Sequence, residues 1–156
     1  MLLVSACLAG VKCKYNAGDN YDEAVAGLVR EGKAILVCPE QLGGLCTPRK
    51  PAEIIQGSGQ DVLLSKAGVV TEDGQDVTAA FLRGAVETLK IAQLVKARGV
   101  ILKDGSPSCG SKLIYDGSFK GLKKRGEGVT AALLKNEGYP VFSEQTDLKR
   151  FLEEGG

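Results

Sequence analysis

Short apolar runs alternate with stretches of helical periodicity along most of the chain. Leu2–Leu8 is a run of apolar residues closed by Gly10, and it predicts a buried strand. Asp22–Glu31 carries apolar residues at 24, 25, 28 and 29, the spacing of one helix face, with Gly32 placed to stop it. Ala34–Cys38 predicts a second buried strand, ended by Pro39, and the Gly/Pro-rich stretch Gly43–Pro51 a loop. Glu53–Ile55 and Asp61–Thr71 predict short extended pieces, the second with a turn at Lys66–Gly68 that makes it part of a hairpin excursion. Thr78–Ala97 predicts the longest helix, with apolar residues at 82, 85, 86, 89, 92, 94 and 95. Gly99–Lys103 then predicts a third buried strand running into the loop Asp104–Gly110. A helix over Gly128–Asn136 is stopped by Gly138, Pro140–Ser143 predicts a fourth strand, and Leu148–Glu153 a terminal helix.

Strands and helices that alternate in this way predict an α/β fold with a parallel sheet and right-handed crossovers. The expected architecture is a single three-layer domain over residues 1–156. Its flavodoxin/Rossmann-like sheet has about four strands in the order 2-1-3-4, and a small hairpin excursion lies outside it. A length of 156 residues is that of one domain, and 44% hydrophobic against 25% charged residues is enough to bury a core.

The formal net charge of +1 argues against a broad nucleic-acid or membrane-binding surface. One basic run, Lys120–Arg125, reads as a solvated loop that could at most meet a phosphate. The apolar N-terminus has no basic region ahead of it, and Lys12 and Lys14 follow too soon for a membrane span. The protein is therefore expected to be cytoplasmic.

Histidine is absent, which removes the commonest general base and the commonest metal ligand. Five cysteines are present, an odd number, and a reducing cytosol would not keep them as disulfides. Their placement changes the picture. Cys7 ends the first predicted strand, Cys38 ends the second, and Cys109 lies in the loop after the third. In an open parallel sheet, ligands bind outside the carboxyl ends of strands where the winding reverses. Three thiols placed there can converge on one object.

Soft thiolates select zinc, copper(I) or an iron–sulfur cluster, and four-cysteine ligation would draw on Cys13 or Cys46. Three ligands would leave a metal position open for Lewis-acid chemistry. Glu40 stands two residues beyond Cys38, Ser106 and Ser108 flank Cys109, and Lys103 ends the third strand. A non-catalytic zinc or iron–sulfur module is the alternative that these residues also allow. A dinucleotide-binding protein is disfavoured, because the first strand runs into Cys7-Leu-Ala-Gly-Val-Lys-Cys13 with no G-x-G-x-x-G turn.

Five motifs occur together and in order: Ser5-Ala-Cys-Leu-Ala-Gly-Val-Lys-Cys-Lys-Tyr15, Cys38-Pro-Glu-Gln-Leu-Gly-Gly-Leu45, Pro48-Arg-Lys-Pro-Ala-Glu53, Ser106-Pro-Ser-Cys-Gly110 and Gly126-Glu-Gly-Val-Thr130. Each is weak alone. As a set covering nearly the whole chain, they resemble the TudS-type thiouracil desulfidases. The resemblance implies a [4Fe–4S] cluster on three cysteines with one open iron, and removal of sulfur from a thiolated uracil base or nucleotide without net redox change. Matched motif to motif, the ligands would be Cys7, Cys38 and Cys109, with Cys13 the rival ligand. Glu40 and Ser106 would be the catalytic pair, and Ser108, Lys103 and Arg49 would meet the substrate. The expected partner is a small thiolated pyrimidine; a nucleic acid or a membrane is not expected. Ala9 and Lys14 stand where leucine and arginine are common in the family, and Cys46 where proline or a small residue is expected.

Overall fold

The computed structural model describes residues 1–146 and 148–154. Four short strands form the central sheet: β1 (Leu2–Ser5), β2 (Ala34–Val37), β5 (Gly99–Ile101) and β8 (Val141–Phe142), in the order β2-β1-β5-β8. All neighbours are parallel, with Leu2 opposite Ala34 and Gly99 and Val100 opposite Val141. This is the expected order 2-1-3-4. Helices α1 (Glu23–Arg30), α4 (Thr78–Leu94), α5 (Val129–Asn136) and α6 (Lys149–Glu154) lie near their predicted positions. The Asp22 side chain caps α1 by accepting from the Val25 amide at 3.1 Å.

Alternation along β1 fixes the layers. Leu2 and Val4 point to one face and pack with Val25 and Leu28 of α1 and with Phe151 of α6. Leu3 points to the other face, with Ala92 of α4 and Ala131 and Leu134 of α5. The central strands are thus buried on both faces, which is why they read as continuous apolar runs.

Three segments depart from expectation. The Asp61–Thr71 segment is not extended throughout. Gly59–Leu63 is a helical turn, α3, because the Asp61 carboxylate accepts from the Ser58 backbone amide at 2.9 Å and closes its first turn. Only β4 (Gly68–Thr71) is a strand, and it pairs antiparallel with β3 (Ala52–Ile55). The first strand also stops early, at Ser5, where its pairing with Val37 ends, and Ala6–Ala9 continues as a 3-10 turn. Finally, the basic run is not simply a loop. β6 (Leu113–Tyr115) and β7 (Lys123–Arg125) form a second hairpin, and Lys-Lys-Arg in β7 gives no apolar alternation by which to see it.

Among the described residues, no helix is long and apolar enough to cross a membrane.

Candidate active site

The site lies outside the carboxyl ends of β2, β1 and β5, where β1 feeds the 3-10 turn and β2 feeds a helical turn, α2 (Pro39–Leu42). Pro39 opens α2 at its first position, where its missing amide costs nothing. Cys38 is thereby the cap residue and Glu40 sits in the first turn. A cavity of about 330 Å³ opens between these ends, small for a ligand site. Cys7, Cys13, Cys38, Cys109, Glu40, Arg49, Lys103 and Ser106 all line it. Residues from five separate sequence stretches therefore meet at one place.

Cys13 is buried between Cys7 and Cys38. Interaction among these three neighbouring thiols lowers Cys7 to about 7 and Cys38 to about 6 against opposing burial, while Cys13 itself is raised; Cys38 Sγ also lies 3.8 Å from Cys13 O. The Asn20 amide adds a donor to Cys7 Sγ at 3.5 Å. Cys109 is different: burial pushes its thiol up to about 12, although Ser5 donates to its sulfur at 3.6 Å and the Ser108 hydroxyl oxygen lies at the same distance. Cys46 is exposed and stands apart from the cavity lining. Among the described residues, no group of three or more Cys, Asp or Glu side chains forms a site for a single metal ion. Four cysteines disposed around a shared cavity instead suit an object wider than one ion, and sulfur donors without histidine suit iron–sulfur chemistry.

Glu40 is held at both oxygens. Arg49 Nε donates to Oε1 at 3.2 Å and Ser108 Oγ to Oε2 at 3.2 Å. Ser106 Oγ lies 3.0 Å from Ser108 Oγ and accepts from the amides of Ser108 and Cys109, both at 3.1 Å. Because the Ser108 proton is committed to the carboxylate, a hydroxyl chain runs Ser106 to Ser108 to Glu40.

Two expected substrate contacts sit differently from expectation. Ser108 is only 1% exposed and does not line the cavity; its hydroxyl is turned onto Glu40 and Cys109 beneath the wall. Arg49 lines the cavity, but its side chain is only 9% exposed and spends its donors on protein. Besides Glu40 it bonds Cys13 O at 2.9 Å, Cys46 O at 3.2 Å and Thr47 Oγ1 at 2.9 Å, tying its own loop to the Cys13 loop and to α2. Lys103 does face the cavity, with its ammonium paired to Glu144 at 2.9 Å.

Ser5, Asn20, Glu53 and Tyr115 also line the cavity and were not singled out from sequence, and Lys123 joins them from the basic run expected at most to meet a phosphate. Ser5 and Glu53 lay inside quoted motifs, a signal that could have found them. Tyr115 and Lys123 become visible only once the β6–β7 hairpin is known.

Residues 2–146 match the family model described as 2-thiouracil desulfurase. The chain is 54% identical over 144 residues to an uncharacterized protein, YbbK, of Bacillus subtilis (strain 168), covering 92% of this chain and 95% of that one. Its fold is similar to the solved structure of a [4Fe–4S]-dependent thiouracil desulfidase, TudS, with a TM-score of 0.84 and 44% identity. That match covers 99% of this chain and 95% of the other.

Proposed function

Because the chain belongs to the 2-thiouracil desulfurase family, we propose that it is a [4Fe–4S]-dependent, non-redox desulfidase. It would convert a thiolated uracil base or nucleotide (4-thiouracil, 2-thiouracil or 4-thiouridine monophosphate) to the oxo form and release hydrosulfide. The observation that carries this reading is the meeting of four cysteines with a doubly held carboxylate in one cavity of a chain without histidine.

Cys7, Cys38 and Cys109 would hold the cluster. Cys13, buried beside Cys7 and Cys38 on the same cavity, is the rival first ligand. Cys109, buried and raised, would lose its proton on ligation. When bound, such a cluster supplies a soft Lewis-acid iron for a thiocarbonyl sulfur.

The remaining chemistry belongs to the chain. Water adds its oxygen to the thiocarbonyl carbon, the carbon–sulfur bond breaks, and both protons of the water are shared between base and departing sulfide; no electron is gained or lost. Glu40 accepts the proton from that water, the role histidine would otherwise take. Arg49 and Ser108 fix the carboxylate's orientation, so a productive angle is set before substrate arrives. The hydroxyl chain through Ser108 to Ser106 returns a proton to the cavity. Lys103, its ammonium held by Glu144 and the Asp104 carbonyl, also faces the cavity and would favour sulfide leaving as an anion.

Anaerobically reconstituted protein should release hydrosulfide from 4-thiouracil. Cys38→Ser should lose both cluster colour and activity, since a hydroxyl is a hard ligand. Glu40→Gln should keep the cluster and lose turnover, because the amide cannot take the proton. Normal turnover by Glu40→Gln would remove the carboxylate from the mechanism.

A further inference from the structure

One buried carboxylate beside the cavity takes no part in the chemistry above. Glu53, on β3, is 8% exposed and lines the cavity. Burial of a carboxylate is costly unless it is hydrogen-bonded. Its Oε1 accepts from the backbone amides of Gly117 at 3.0 Å and Phe119 at 3.2 Å, at the tip of the β6–β7 hairpin. Both residues have left-handed backbone, Gly117 at φ +92° and Phe119 at φ +58°. For a phenylalanine that conformation is unfavourable and must be imposed. The intervening Ser118 amide turns the other way, onto Asp116, so the Gly117 and Phe119 amides alone converge on Glu53.

The hairpin has two anchors of different kinds. Its base is fixed by Asp104, whose Oδ1 accepts from the amides of Ser111, Lys112 and Leu113. Its tip is fixed by Glu53. Between them stand Tyr115 and Lys123, directly opposite one another across the two strands and so on the same face. The Lys123 ammonium lies 5.5 Å from the Tyr115 ring centroid, and both side chains line the cavity.

We propose that the β6–β7 hairpin is the specificity wall of the site, with Tyr115 the face against which a planar pyrimidine rests and Glu53 the latch that holds that wall in place. The proposal rests on the desulfidase reading for the identity of the planar ligand, but not for the latch. Glu53 is a positioning residue: it acts through Tyr115 and Lys123, and the acceptor oxygen Oε1 is what the hairpin amides bind. Glutamine keeps that oxygen and alanine removes it.

The test compares Glu53→Ala, Glu53→Gln and Tyr115→Ala in anaerobically reconstituted protein with iron content checked. Hydrogen exchange of residues 113–125 reads the latch directly. It should accelerate in Glu53→Ala and stay near wild type in Glu53→Gln. KM for 4-thiouracil should rise roughly tenfold in Tyr115→Ala, the loss expected for one base–aromatic stack. It should rise in Glu53→Ala, with kcat little changed, and be restored in Glu53→Gln. Calorimetric affinity for uracil, the oxo product, should follow the same order and needs no turnover. Unchanged exchange in folded Glu53→Ala overturns the latch. Accelerated exchange with unchanged KM and unchanged uracil affinity overturns the wall. Wild-type protein that binds uracil in this order yet leaves 4-thiouracil intact would contradict the desulfidase reading while sustaining the wall.

Discussion

Gly84 in α4 is where core packing reaches the site most directly. A Cβ added there would sit 2.0 Å from the carbonyl oxygen of Pro39 and 2.9 Å from its carbon. The approach is reciprocal, since a Cβ on Gly43 would lie 2.1 Å from Ala80 O. Both partners are backbone, so no rotamer relieves the overlap, and α2 would have to retreat by about 1 Å for a tight contact. Pro39 lies between Cys38 and Glu40, so both would move with it. Overpacking costs about 1–3 kcal/mol, and the better helix propensity of alanine returns up to about 1 kcal/mol. With no rotamer to relieve the overlap the cost lies at the upper end, so the expected net loss for Gly84→Ala is about 2 kcal/mol, a fall in Tm of roughly 4–8 °C for a chain of this size. Turnover should fall much further, on the order of 100-fold, because a displacement of about 1 Å at a catalytic group is enough to cause it. Thermal melting and hydrosulfide release read the two effects separately. Gly27→Ala in α1 is the control, since its Cβ would meet only Arg30 Nη2 at 3.9 Å; it should gain up to about 1 kcal/mol and leave turnover unchanged. Gly84→Ala with wild-type Tm and turnover would refute the packing argument, and a lowered Tm with full turnover would refute its link to the site.

Two further outcomes follow from the site and its surroundings. The Cys13→Ala/Cys46→Ala double variant, reconstituted anaerobically, should still bind four irons and remain active, with a stability loss of about 1–2 kcal/mol from the gap at Cys13; iron analysis with the fold intact reads this, and an iron-free folded variant would mean that a fourth thiolate is required. Asp104 is opposed by burial but held below its ordinary range by the amides of Leu113, Lys112 and Ser111. A lowered folded-state value contributes stability that is present above the unfolded pKa and is lost as pH falls through the folded one. Wild-type stability should therefore decline below about pH 4, and Asp104→Asn should be less stable at neutral pH with a flatter acid limb; parallel melts from pH 3 to 7 in Asp104→Asn and wild type would expose an unchanged slope if the carboxylate played no part.

The sheet was legible in the sequence because its two central strands are buried on both faces. Leu2–Val4 and Val100–Ile101 are buried on both faces and apolar throughout, so the strands and the cysteines at their ends could be read directly, while the strand order came from the flavodoxin-like pattern. What escaped depends on contacts between distant residues. Arg49 looks like a surface cation until the carbonyls of Cys13 and Cys46 are brought to it. Ser108 looks like its neighbour Ser106, but only the placement of Glu40, 68 residues earlier, turns it inward. The β6–β7 hairpin has a charged strand with no apolar period, and Asp104 and Glu53 hold it by side-chain bonds to its amides. The α3 turn was hidden because Val62 and its neighbours read equally well as a short strand; the Ser58–Asp61 pair decided it.

The central claim is a hydrolytic desulfurisation without electron transfer, performed at the cavity of Cys7, Cys38, Cys109 and Glu40. Its most direct test is anaerobic conversion of 4-thiouracil in ¹⁸O-labelled water by protein shown to carry four irons, with no reductant or oxidant present. The account predicts equal amounts of hydrosulfide and of uracil labelled with ¹⁸O from the solvent. Four-iron protein that leaves 4-thiouracil intact, or that turns over only when an electron donor is supplied, would contradict it.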